Sequence, residues 1–131
     1  MNKTRYLGAS LAVFVFIFIY EWAFHGNFLK GMYMQTQHLW RPPNECVWPA
    51  MLGGQIFFSF MFTLIFLKGY ENKGMGEGLR YGVLIGLLFI PTNLIFYAVQ
   101  PLPYALVAAW CVGGMLEMIL AGMIAATVYR P

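Results

Sequence analysis

From Tyr81 to Leu116 the chain runs 36 residues without an Asp, Glu, Lys or Arg. Few folds tolerate such a run. A soluble domain carries about 25 % charged residues, whereas this chain of 131 residues carries 10 %, has 60 % hydrophobic side chains and contains no Asp. A water-soluble globule is therefore excluded. So is a disordered chain, which is poor in the apolar residues that dominate here. Two shorter charge-free runs come first, Tyr6–Tyr20 and Cys46–Leu67. A helix needs about 20 apolar residues to cross the ~30 Å hydrocarbon layer of a bilayer. The long run exceeds one crossing, and Gln100-Pro101-Leu102-Pro103 divides it, because proline ends one helix and starts the next.

The fold class expected is an all-α membrane protein, one domain over residues 1–131. Four transmembrane helices near residues 6–24, 49–67, 79–99 and 104–129 form an up-down bundle. Helices are required because unpaired backbone groups are too costly in lipid. The alternating strands of about ten residues that a barrel needs are absent. Helix 1 is expected to be retained as an anchor, since residues 19–24 offer no small-x-small cleavage site.

Lys and Arg set the orientation. An even number of crossings puts both termini and the middle loop on one side. That side holds Lys3, Arg5, Lys68, Lys73, Arg80 and Arg130, six of the eight basic residues; the other holds Lys30 and Arg41. The positive-inside rule then places both termini in the cytoplasm. The basic residues flank helices and form no dense cluster, so no nucleic-acid partner is expected. The inner loop is Gly-rich but lacks the strand and Lys-Ser/Thr of a phosphate cradle.

The outer loop carries Phe28/Leu29, Met32/Tyr33, Thr36 and Leu39/Trp40 at three-to-four spacing. That is the period of a helix with one apolar face. It predicts an interfacial amphipathic helix over about residues 27–40 between helices 1 and 2, with Trp22, Tyr33, Trp40 and Trp48 as interfacial aromatics.

Polar groups at membrane depth carry most of the functional information, because an ionisable side chain there costs roughly 2.5–3.5 kcal/mol even on the lenient insertion scale. Glu117 sits mid-helix 4 and Glu21 in the outer part of helix 1, with His25 one turn later on the same face. Helix 2 brings Gln55 and helix 3 brings Asn93. Glu21, His25, Gln55, Asn93 and Glu117 are expected to form one intramembrane polar cluster. Each has a plainer role open to it, as interhelical glue or a snorkelling side chain. One His and one Glu on a face make half a metal site at most. No Cys-x-x-Cys occurs, no nucleophile–base pair can be assembled, and no catalytic residue, metal or cofactor is predicted.

Small residues mark helix contacts. Gly78, Gly82 and Gly86 open helix 3 at four-residue spacing, and Gly113 and Ala121 flank Glu117 on helix 4. Such rows let backbones approach closely.

Helix 1 ending in Trp22-Ala23-Phe24-His25-Gly26, the aromatic outer loop, Glu77-Gly78-Leu79-Arg80-Tyr81-Gly82 and Gly122 ahead of Tyr129-Arg130-Pro131 form a layout that resembles small bacterial four-helix membrane proteins of uncharacterised function. The resemblance implies residence in the bacterial inner membrane and brings no activity. Small multidrug exporters are similar in size, but they place a carboxylate in mid-helix 1, where this chain has Phe14. Two functions are expected from the residues. The first is a non-catalytic membrane subunit that associates through helix packing, with itself or with other membrane subunits. The alternative is a small proton- or cation-coupled transporter or binder using Glu117, Glu21 and His25.

Overall fold

The computed structural model describes residues 1–130, which are 85 % helical and contain no strand. The elements are α1 (Lys3–Ala23), α2 (Lys30–Gln35), α3 (Trp48–Lys68), α4 (Met75–Val99) and α5 (Tyr104–Tyr129). Four of them, α1 together with its π-helical extension, α3, α4 and α5, are long and apolar enough to cross a bilayer.

Local chemistry sets the helix boundaries. The Asn2 side chain caps α1 by accepting from the Arg5 N–H at 3.0 Å. Proline lies in the first turn of α3, where its missing N–H costs nothing. Between α3 and α4 the chain reverses through Asn72 at φ 58 and Gly74 at φ 85. The Glu71 and Lys73 N–H groups donate to Glu77 Oε1 and Oε2 at 2.6 and 2.9 Å, which ties this loop to the first turn of α4. Lys73 beside Glu71 holds that exposed carboxyl below the usual range.

The four long helices form a closed circuit in the order α1, α3, α4, α5. Its four seams are made in different ways, and α1 meets α3 where the Tyr6 hydroxyl donates to the Phe60 carbonyl at 2.9 Å. Between α4 and α5 the backbones touch: a Cβ on Gly78 would overlap the Gly122 carbonyl, one on Gly82 would overlap the Met118 carbonyl, and one on Gly86 would meet Met115. Between α3 and α4 the contact runs through aromatic side chains. Tyr81 lies 4.8 Å from the Phe62 ring and its hydroxyl donates to the Phe62 carbonyl at 2.6 Å, while Phe58 meets Phe89 at 5.8 Å. Between α1 and α5 the buried cluster of Val13, Ile17, Met118, Ala121 and Ala125, with Phe62 and Phe66 from α3, fills the space. Ser59 and Thr63 on α3 donate back to the Gln55 and Ser59 carbonyls at 2.7 and 2.9 Å. Their hydroxyls are thereby satisfied within their own helix.

Both termini and the α3–α4 loop share one end of the bundle. There the Asn2 N–H donates to the Tyr129 hydroxyl at 2.9 Å, and Tyr129 meets Tyr70 edge-to-face at 5.4 Å. The opposite end is covered by residues 24–47. This segment departs from the single helix predicted over residues 27–40. The chain leaves α1 through a π-helical turn at Phe24–Phe28, makes the six-residue α2, and continues in 3₁₀ turns at Gln37–Leu39 and Pro43–Glu45. Breaks fall at Leu29 (φ −94, ψ 9) and Thr36 (φ −116, ψ 21). At Thr36 the hydroxyl bonds back to the Met32 carbonyl at 2.9 Å, in competition with helix continuation. The segment is thereby folded onto the bundle end instead of extending from it.

The α4–α5 seam gives a direct test. Gly82→Ala should destabilise the fold by about 1–3 kcal/mol, the usual cost of overpacking a contact that cannot yield, because the new methyl would meet backbone atoms of Met118 and Ile119. Gly53→Ala has open space and should be neutral or stabilising by up to about 1 kcal/mol through helix propensity. Denaturation in mild detergent followed by circular dichroism compares the two; equal stability of the two variants would contradict the close seam.

Candidate functional site

The site is built where α1 meets α5, and it starts from a missing side chain. Gly113 has no Cβ, and a Cβ there would collide with the Phe24 ring. The space admits that ring, which stacks between Tyr20 and Phe28 at 5.6 Å from each. Tyr20 then reaches α5 and donates its hydroxyl to the Gly113 carbonyl at 2.5 Å. Glu21 follows Tyr20 on α1, and Glu117 lies one turn after Gly113 on α5. The two carboxyl groups lie close enough to interact. Glu117 is 5 % exposed and its Oε2 has no hydrogen-bond partner among the described residues. Two carboxyl groups this close in an apolar setting form a place where a proton or a small cation can be held.

From Glu21 a chain of hydrogen bonds runs to the loop end. His25 Nε2 lies 3.0 Å from Glu21 Oε2. His25 Nδ1 lies 2.7 Å from the Tyr33 hydroxyl, and Trp110 Nε1–H donates to that same hydroxyl at 2.7 Å. An indole N–H can only donate. Burial pushes the Tyr33 phenol up to about 12, so it keeps its proton at neutral pH. In the Nε2–H tautomer of His25 the Tyr33 hydroxyl donates to Nδ1 and Nε2–H donates to Glu21. In that tautomer the donors Trp110, Tyr33 and His25 all point toward Glu21.

The folded loop braces this chain. Trp40 Nε1–H donates to Thr36 Oγ1 at 2.9 Å, and the Trp40 ring packs between Tyr33 (5.5 Å) and Trp110 (6.1 Å). The π-helical turn, in which the Leu29 N–H donates to the Phe24 carbonyl at 2.8 Å, carries His25 at the point where the chain turns back. Such turns occur frequently at functional sites.

Of the five residues predicted to cluster, Glu21 and His25 are paired, and Glu117 lies beside Glu21 without a hydrogen bond to it. Asn93 is not joined to them; its Nδ2 donates to Cys111 Sγ at 3.8 Å across the α4–α5 contact. Gln55 makes no side-chain hydrogen bond to the group, and its Oε1 is buried without a partner. Among the predicted packing residues, Gly78, Gly82 and Gly86 face α5, Gly113 faces α1, and Ala121 is fully buried. Trp22 and Trp48 point outward, 66 % and 51 % exposed, as interfacial aromatics would. Tyr33 and Trp40 instead turn inward. Sequence reasoning missed Tyr20, Phe24 and Trp110 as parts of the site and Gly122 as the partner of Gly78. A signal existed for one of them: Trp110 stands at i, with Gly113 at i+3 and Glu117 at i+7 on one helical face. No group of three His, Cys, Asp or Glu side chains among the described residues could hold a metal ion.

Tyr33→Phe removes the one hydroxyl that both Trp110 and His25 use. It leaves a half-buried indole donor without its partner, which should cost about 1 kcal/mol. The Trp110 indole proton should exchange faster with solvent in NMR spectra, while that of Trp48 is unaffected. Unchanged exchange at Trp110 would refute the shared-hydroxyl geometry. No family model, no curated protein and no solved structure matches this chain.

Proposed function

We propose that this chain is an integral membrane protein that binds a proton, or a small cation in its place, at the Glu21–Glu117 carboxyl pair and communicates with one side of the membrane through His25 and Tyr33. The observation that carries this reading is the run of polar contacts from Trp110 through Tyr33 and His25 to Glu21, beside the buried Glu117. Structural glue needs a carboxyl and one partner; it does not need an imidazole, a phenol and an indole in series.

Insertion is supported by the four long apolar helices and by what they turn outward. Ile19, Phe57, Leu88 and Val112 are 56–73 % exposed, an arrangement that lipid favours and water penalises at about 25 cal/mol per Å². Six basic residues at the terminal end against two at the other support cytoplasmic termini, which places His25 and Tyr33 at the outer face. The layout fits the small bacterial four-helix membrane proteins that the sequence resembles, and hence the inner membrane. The segment over residues 27–40 lies at the depth of the outer headgroups in this reading.

Access is one-sided. On the terminal side of Glu117 lie Met118, Ala121, Ala125, Val13 and Ile17, all buried and apolar. This conformation therefore describes a binder or one half of a transport cycle. The other reading, a non-catalytic subunit that packs against copies of itself or other membrane proteins, drew on the small-residue rows. Gly78, Gly82, Gly86 and Gly113 are covered within the chain, so those residues no longer favour it.

The test is infrared spectroscopy of the protein in lipid vesicles. A protonated-carboxyl band should respond to external pH, disappear in Glu117→Gln, shift in Glu21→Gln, and stay unchanged when only the internal pH is altered. Sodium or potassium that displaces the proton should bleach the same band. Absence of any pH-responsive carboxyl band, or a band indifferent to Glu117→Gln, would rule the reading out.

A further inference from the structure

At the terminal end of the bundle, far from the carboxyl pair, a cavity of about 260 Å³ is lined by Met1, Leu64, Leu67, Lys68, Tyr70 and Tyr129. We propose that it holds the anionic phosphate headgroup of a phospholipid, with an acyl chain leaving along Leu64 and Leu67 on α3. This inference rests on the membrane reading above and not on the proton site.

Three features of the cavity define its ligand. The first is unspent positive charge. Lys68 lines the cavity, and Arg5 and Arg130 lie within Coulomb range of the Tyr70 hydroxyl. Among the described residues none of the three has a carboxylate at ion-pair distance, the two pairs present being His25–Glu21 and Lys73–Glu71. Glu71 is paired with Lys73, and Glu77, within range of Tyr70, accepts from the Glu71 and Lys73 N–H groups through both oxygens. Helix dipoles do not account for the charge, since two helix C-termini (α3, α5) and two N-termini (α1, α4) meet at this end and oppose one another.

The second feature is a directed donor. Tyr129 is buried, 8 % exposed, and its hydroxyl oxygen accepts from the Asn2 N–H at 2.9 Å. Its own proton is donated to no described residue, and a phosphate oxygen in the cavity is a suitable acceptor. The third is the apolar wall. A free phosphate would satisfy Lys68 and Tyr129 but leave Leu64 and Leu67 facing water. A lipid satisfies all of them, and the cavity sits where two apolar helices end, at Lys68 and Tyr129, which is headgroup depth. Basic pockets between helices on the cytoplasmic side commonly take such headgroups.

The experiment uses the full chain reconstituted into vesicles of phosphatidylcholine and phosphatidylglycerol, re-extracted, with bound lipid counted by native mass spectrometry. Wild type should retain phosphatidylglycerol well above its share of the mixture. Lys68→Gln should lower that enrichment by roughly five-fold, and Lys68→Gln with Arg5→Gln by roughly five-fold again, about the contribution of one basic residue at an anionic surface. Tyr129→Phe should lower it without a change of charge, and Lys30→Gln, at the opposite end, should not. Retained lipid that inorganic phosphate displaces would overturn the proposal in favour of a free-phosphate site. Incorporation into vesicles without phosphatidylglycerol enrichment would overturn it and leave the membrane reading standing. Failure to enter phosphatidylcholine vesicles at all would overturn both.

Discussion

A carboxyl group set among apolar side chains must be met by a proton, a cation or a donor, and the helices have to be arranged so that one can reach it. Burying an isolated charged carboxylate costs far more than the folding energy of a chain this size can absorb. In this bundle the arrangement depends on Gly113. Because that position has no side chain, the Phe24 ring lies against α5 and Tyr20 hydrogen-bonds the Gly113 carbonyl. Those two contacts fix the rotation of α1, and the rotation delivers Glu21 to Glu117. A side chain at position 113 would displace the Phe24 ring and loosen the packing that brings Glu21 beside Glu117.

The same helix serves two neighbours with two faces, which explains why its small residues were only partly legible. The row Ala105, Ala109, Gly113, Glu117, Ala121, Ala125 reads as one stripe in sequence. Four-residue steps drift about 40° each on a 3.6-residue helix, so over five steps the stripe winds away from any single partner. Gly113 belongs to the α1 face, whereas the α4 face is made of Met115, Met118, Gly122 and Ala126. The glycines of α4 were legible because Gly78, Gly82 and Gly86 span only two steps and stay against one neighbour. Their partner Gly122 lies one position off the row, and a one-dimensional spacing rule has no way to select it.

The four long apolar helices were legible for a simpler reason: charge is excluded from them over lengths that no soluble element needs. Glu21, His25 and Glu117 were legible because an ionisable residue in such a run is conspicuous. Tyr33 was not, and Trp110 was marked only by its spacing from Gly113 and Glu117. Tyrosine and tryptophan pair an apolar ring with one polar atom, so the same residue suits a headgroup layer or a buried hydrogen bond, and neighbouring residues do not distinguish the two. The helical period over residues 27–40 was real but was expressed in pieces. Thr36 offers its own hydroxyl to the backbone, Gly26 and Gly31 lower the helix propensity, and the bonds Tyr33 makes to His25 and Trp110 require the segment to return over the bundle. Polar residues with amide side chains gave the weakest guidance. Gln55 and Asn93 lie on the right helices, yet Asn93 finds Cys111 and Gln55 finds no partner, because which face of α3 and α4 turns inward is set by the aromatic seam around Phe62 and Tyr81 and not by the amides.

The distribution of contact types constrains how the bundle could pass anything from Glu117 to the terminal end. Glycine lets α4 and α5 touch backbone to backbone, and no rotamer change can loosen such a seam. The α3–α4 contact is made by Phe58, Phe62, Tyr81 and Phe89, whose rings can change rotamer without a backbone clash. The apolar barrier on the terminal side of Glu117 borders that aromatic seam, since Phe62 and Phe66 belong to the same cluster as Val13, Ile17 and Met118. A second conformation that opened the barrier would therefore keep α4 and α5 as one unit and move α3. In doing so it would break the hydrogen bond from Tyr81 to the Phe62 carbonyl, the polar link across the seam, and it would alter the Leu64–Leu67–Lys68 wall of the terminal cavity, which α3 also carries.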